Sequence, residues 1–340
     1  MNPSLAVIFL TLFAGSGFGL MAVVAAVNDF HIDGGLSPLL TVIAAAFSLV
    51  LVTIGMIAST THLANPKNAW RAFSRWRTSW LAREGVLAVL FYPLTIAYLG
   101  WVFFMNADRD TVALILGNSA AVVGLVTIFA QGMIYACLRT IRQWHTPLVP
   151  ANFFVLGLAL GTTLLATARV VTNGPDKSLI GMAIALLIAA AVMKAIYYFW
   201  IGKPSGTTLQ TATGFSGTKV RLLDQGHTFG TFLTREFSNS ITPLTAMRLK
   251  IVVYVVGFAI PAGVLTLALH EPIELFAIIA PLAAFFGIGV ERYLFFIEAQ
   301  HVINLYHGRA PAAMPKMGPA PKGHLKIQST KVLVPSLDKH

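Results

Sequence analysis

Charged and aromatic residues gather at the ends of this chain's apolar stretches, where ionisable groups are costly and seldom accidental. His62 follows the second stretch, and Trp76, Trp80, Arg83 and Glu84 lead into the third. An imidazole at a membrane edge can donate to or accept from a quinone carbonyl. Its ordinary pKa near neutrality suits passing protons in two-electron quinone chemistry. Trp76 and Trp80 offer rings that can flank a flat headgroup. The same residues also have plain structural readings. His62 can cap a helix end or rest at the headgroups, and Arg83 with Glu84 can form an ion pair at a helix start, where the acid meets the favourable end of the dipole.

A second group comprises Glu291, Glu298 and His301. Seven residues separate the two glutamates, so they share a helix face and could carry protons toward an inner site. Equally, Glu291 and Arg292 could neutralise Arg248 or Lys194 inside a bundle. A third group is basic: Arg71, Arg75 and Arg77 before the third stretch, and Arg221, His227 and Arg235 in a long segment further on. These could dock an acidic partner surface, or simply reflect the side of the membrane on which they lie.

The chain's own capacity for metal chemistry is narrow. Its one cysteine, Cys137, excludes an internal disulfide and any four-cysteine iron–sulfur or zinc site built by this chain alone. Haem with two axial histidines needs them facing each other across the bundle at matched depth. His31 and His270 fall at the outer edge, and His62, His145, His227, His301 and His307 at the inner edge or in inner loops. His62 with His301 is the one pairing left open by this placement. No haem and no metal site are expected.

These groups must be positioned by helices in a bilayer. With 56% hydrophobic and 11% charged residues over 340 positions, and a mean hydropathy of +0.74, the chain has too little polar surface for a soluble globule. The apolar runs are continuous rather than alternating, so an all-α, polytopic bundle of eight transmembrane helices is expected. The spans are predicted near Leu5–Val27, Pro38–Thr60, Glu84–Met105, Thr111–Tyr135, Ala151–Val171, Leu179–Trp200, Lys250–Leu269 and Leu275–Ile297. The first lacks Lys or Arg at its front and exceeds the usual apolar length of a signal peptide, so it reads as a retained helix. Residues 1–307 form the expected membrane domain, with a long loop at 201–249, and 308–340 read as an extended tail.

Only three of the 24 Lys and Arg residues fall on one side once these spans are drawn. The basic side marks the cytoplasm, which places there both termini and the loops after the second, fourth and sixth spans, in a bacterial inner membrane. The net charge of +11 is thereby explained by topology and anionic lipid, and nucleic acid is not an expected partner. The halves show no internal repeat, which disfavours a secondary transporter. A small-solute transporter using the acidic outer loops and Glu291 stays as an alternative.

The residues carry a resemblance. Thr61-His62-Leu63-Ala64-Asn65-Pro66, Ala69-Trp70-Arg71-Ala72-Phe73 and Ser79-Trp80-Leu81-Ala82-Arg83-Glu84 are similar to the His-Leu-Gly-x-Pro turn and Ser-x-Leu-x-x-Glu stretch of membrane-anchor subunits in the dimethyl sulfoxide reductase family. Ala64 replaces the glycine. The resemblance implies an anchor that binds a quinone, ubiquinone or menaquinone, through His62, Trp80, Arg83 and Glu84. It further implies a partner iron–sulfur subunit and a partner molybdopterin catalytic subunit, which hold the remaining cofactors.

Lys67, Arg71, Arg75 and Arg77 keep the turn on the cytoplasmic side. In this it resembles the branch of cytoplasm-facing sulfite dehydrogenases. Ala212-Thr213-Gly214-Phe215, Val220-Arg221-Leu222-Leu223-Asp224, His227-Thr228 and Arg235-Glu236 are similar to that branch as well. The implied activity is passage of electrons from sulfite to quinone. The reverse flow, from quinol to an S- or N-oxide, would use the same residues.

Overall fold

A computed structural model describes residues 4–61, 66–202, 208–215, 220, 241–271 and 274–305. Among them, eight helices are long and apolar enough to cross a membrane: α1 (Leu5–Asp29), α2 (Pro38–Thr61), α3 (Trp80–Met105), α4 (Thr111–Ala136), α5 (Leu148–Asn173), α6 (Lys177–Gly202), α7 (Pro243–Ala268) and α8 (Leu275–Ile297). The protein is an all-helical, multi-pass membrane protein. Among the described residues there is no strand, only an isolated bridge between Ile141 and His301.

Capping chemistry explains where the helices begin earlier than hydropathy predicts. Ser79, in extended backbone, accepts from the Ala82 N–H at 3.4 Å, so α3 starts at Trp80 and Glu84 lies a full turn inside it. Thr242 accepts from the Thr245 N–H at 3.2 Å and Pro243 occupies the first helical position, so α7 takes in Arg248 and Lys250 rather than starting at the latter.

The first helix is the most enclosed of the eight and packs against α2, α4, α5 and α8. Lipid tails are as apolar as leucine, so helices here gain by close fit rather than by escape from water. Small residues on α1 provide that fit. Gly19 meets the backbone of Gly157 on α5, and Gly17 lies against Ser48 and Val52 on α2. The Ser48 hydroxyl donates to the Gly17 carbonyl at 2.8 Å.

At the end of the bundle that carries the α3–α4 and α5–α6 connections, two acidic residues have local duties. Asp110 caps α4 through the Ala113 N–H at 2.8 Å and accepts from the Trp101 indole at 3.0 and 2.9 Å. Asp176 pairs with Arg169 at 3.7 Å, while Arg109 donates to the Gly34 and Leu36 carbonyls and joins two outer loops. At the opposite end the Trp144 indole donates to the Phe295 carbonyl at 3.0 Å and Tyr197 donates to the Gln143 carbonyl at 3.1 Å. These bonds tie the connection between α4 and α5 to α6 and α8.

Candidate functional site

At the end of the bundle that carries the α2–α3 connection, α3 and α4 bring two buried polar side chains together. Glu84 is 3% exposed and Gln131 is 1% exposed. The Gln131 amide donates to Glu84 Oε1 at 2.8 Å, and Gln131 Oε1 has no partner among the described atoms. A buried carboxyl beside an unpaired carbonyl oxygen offers acceptors for a hydroxyl, and in its protonated form a donor to a carbonyl. At 1.5 Å rise per residue, Glu84 lies about 6 Å from the start of α3.

Arg83 takes another direction, because successive residues on a helix are turned well apart. Its Nε donates to the Trp76 carbonyl at 3.0 Å and its Nη2 to the Arg77 carbonyl at 2.7 Å. The guanidinium lies 4.2 Å from the Trp80 ring centre, and that ring meets Phe129 edge-on at 6.0 Å. No Arg83–Glu84 ion pair occurs among the described residues. The predicted quartet thus separates into an Arg83–Trp80 clasp at the helix entrance and a buried Glu84. His62 lies outside the described residues.

Before the clasp, a 3-10 helix, Pro66–Arg75, packs on α3 with Phe73 beside Gly85. Arg71, Arg75 and Arg77 are exposed along this segment, as are Trp70 and Trp76. Arg221, His227 and Arg235 lie outside the described residues, as does the tail 308–340.

The second group is also partly assembled. Glu291 is buried, with Lys194 of α6 against one carboxylate oxygen and Arg292 Nη1 3.6 Å from the other. Arg292 stacks over Phe153 of α5 at 3.8 Å. Beyond it, where α8 ends, Glu298 meets Lys250 of α7 at 2.6 Å. The two acids share a face, as their spacing requires, and each takes a lysine from a different helix. His301 follows the helix end. Its Nδ1 accepts from the Ile303 N–H at 3.1 Å, and burial pushes the imidazole below its ordinary pKa.

Sequence reasoning did not single out Gln131, Lys250 or Tyr198, whose ring centre lies 4.6 Å from Lys250 Nζ. A single amide within Ile128-Phe129-Ala130-Gln131-Gly132 was the available signal for Gln131. Tyr198 and Lys250 had none, because each acquires its meaning from a neighbouring helix.

Eight membrane-spanning helices with buried acids among them define a polytopic membrane protein. The family model for the DMSO reductase anchor subunit (DmsC) matches residues 1–297, and the protein belongs to that family. It is similar to the C subunit of the sulfite dehydrogenase of Allochromatium vinosum, with 33% identity over 331 residues covering 90% of this sequence and 99% of the relative. It is also similar to the C component of the anaerobic dimethyl sulfoxide reductase of Escherichia coli, with 29% identity over 175 residues covering 50% of this sequence and 58% of that one.

Proposed function

We propose that this anchor binds quinone at its cytoplasmic face and passes to it the electrons of sulfite oxidation. The observation that carries this reading is the buried Glu84–Gln131 pair with its unpaired amide oxygen, one turn inside the helix that follows the family's histidine turn. Whole-length similarity to a sulfite dehydrogenase component supports the substrate of the complex. The basic segment between α2 and α3 supports an inward-facing site in a bacterial inner membrane, with both termini cytoplasmic.

In this reading the protein is a subunit without a molybdenum site of its own. Molybdopterin and iron–sulfur clusters belong to two partner subunits, which Arg71, Arg75, Arg77, Arg221, His227 and Arg235 help to dock. The membrane domain spans 1–307, and its 201–249 loop and 308–340 tail lie in the cytoplasm. The quinone in this reading is ubiquinone or menaquinone, and no haem is expected. Quinone, when bound, accepts two electrons and two protons. His62 and Glu84 hold its polar ends and supply protons, Trp80 flanks the ring, and Arg83 keeps Trp80 in place. Glu291, Glu298 and His301 line the path by which protons enter from the inner face.

His62→Ala tests this in the purified complex. Quinone reduction is expected to fall at least tenfold while sulfite oxidation with an artificial acceptor is retained. Unchanged quinone kinetics would remove His62 from the site. The opposite direction, quinol oxidation for a dimethyl sulfoxide-type reductase, has the support of the Escherichia coli relative. Identifying the substrate of the co-purifying large subunit separates the two.

A further inference from the structure

Three charges are buried together between α6 and α8: Lys194, Glu291 and Arg292. They sum to one positive charge in a medium that penalises any uncompensated ion. Only one of them can relieve it. Arg292 does not give up its proton in proteins. Glu291 lies between two cations, which favours its ionised form. That leaves Lys194, which is neutral when it gives its proton away and restores the single positive charge when it regains it.

The surroundings indicate where that proton goes. Among the described residues, Tyr197 and Tyr198 of α6, Lys250 and Tyr254 of α7 and Glu298 of α8 lie around the cluster, α5 contributes the amide Asn152, and Tyr135 of α4 faces its Arg292 end. Two of the tyrosine hydroxyls are committed, Tyr197 to the Gln143 carbonyl at 3.1 Å and Tyr254 to the Ala191 carbonyl at 3.3 Å. The buried Tyr198 hydroxyl has no partner among the described atoms. Both lysines approach its ring, Lys194 Nζ at 5.1 Å and Lys250 Nζ at 4.6 Å from its centre. Lys250 and Glu298 are partly exposed at the inner face.

We propose that Lys194 is a proton-loading group, exchanging with the cytoplasmic face through Tyr198 and the Lys250–Glu298 pair. In loading, the Tyr198 hydroxyl turns to bridge the two lysines, Lys250 gives a proton to its oxygen as its own proton passes to the Lys194 amine, and Lys250 is replenished from water. Unloading is the reverse. This deepens the proton-path reading above and rests on its inward orientation: Glu291 serves as the fixed charge that holds the carrier, and Lys194 moves the proton.

The test uses the full-length protein, labelled with nitrogen-15 lysine, in lipid nanodiscs without quinone. Solid-state NMR distinguishes ammonium from amine at Nζ, and the signal missing from both Lys194→Arg and Lys194→Met assigns the residue. That signal is expected to pass between ammonium and amine positions as the pH is stepped. An ammonium signal at every pH at which the protein stays folded would overturn the proposal and make the cluster a fixed ion pair. Tyr198→Phe and Lys250→Met are each expected to slow deuterium exchange at Lys194 at least tenfold. An unchanged rate in both would overturn the route. Neither measurement needs quinone, so failure here leaves the His62 test standing, and failure there leaves this one standing.

Discussion

Glu84 and Arg83 are neighbours in sequence and point to different tasks. The arginine is consumed in holding the Trp76–Arg77 carbonyls and the Trp80 ring, whereas the acid turns inward to Gln131. Glu84→Gln keeps shape and hydrogen-bonding reach but removes the group that gains and loses a proton. General acid–base contributions of this kind are worth about 10²-fold or more. Quinone-coupled turnover should therefore drop by about two orders of magnitude, with artificial-acceptor activity of the soluble subunits retained. A steady-state comparison of the two assays checks it, and equal losses in both would mean that the complex had fallen apart. The Ser-x-Leu-x-x-Glu stretch singled out Glu84 in the sequence. Its separation from Arg83 was not, since it depends on which way α3 is rolled against α4.

At the scale of elements, the close crossing of α1 and α5 sets the spacing of the bundle. A methyl group at Gly19 would enter the Gly157 backbone, which cannot yield as a flexible side chain would. Overpacking of this sort costs roughly 1–3 kcal/mol. Gly19→Ala is expected to lower the thermal midpoint of the purified protein in mild detergent. Gly181→Ala on α6, where an added methyl group meets nothing within 4 Å, is expected to leave the midpoint unchanged or raise it slightly. Equal midpoints for both variants would remove the crossing as a determinant of stability. The eight apolar runs and their order were readable from hydropathy alone. Their first turns were not, because Ser79 and Thr242 set them by hydrogen bonds that an average over many residues hides.

The whole molecule depends on its orientation. Basic residues crowd the face that carries the α2–α3 connection, while on the opposite face Arg109 and Arg169 are engaged with local partners. In cells carrying Cys137→Ser, an impermeant thiol reagent should label Ser74→Cys only after permeabilisation, and Lys177→Cys without it. Labelling of Ser74→Cys in intact cells would place the quinone site outside and end the sulfite assignment. Asp110 and Asp176 are engaged in a helix cap and an ion pair.

Composition, hydropathy and charge asymmetry were enough to read eight helices, and some 25 residues around the histidine turn indicated the redox complex to which they belong. Such features are local: a run of apolar residues must span, and cations must stay on the side they cannot leave. The pairing of Glu84 with Gln131, of Lys194 with Glu291 and of Lys250 with Glu298 is of another kind. Each joins positions far apart in the chain, and each depends on helix rotation and depth, which arise only when small residues let the helices close upon one another.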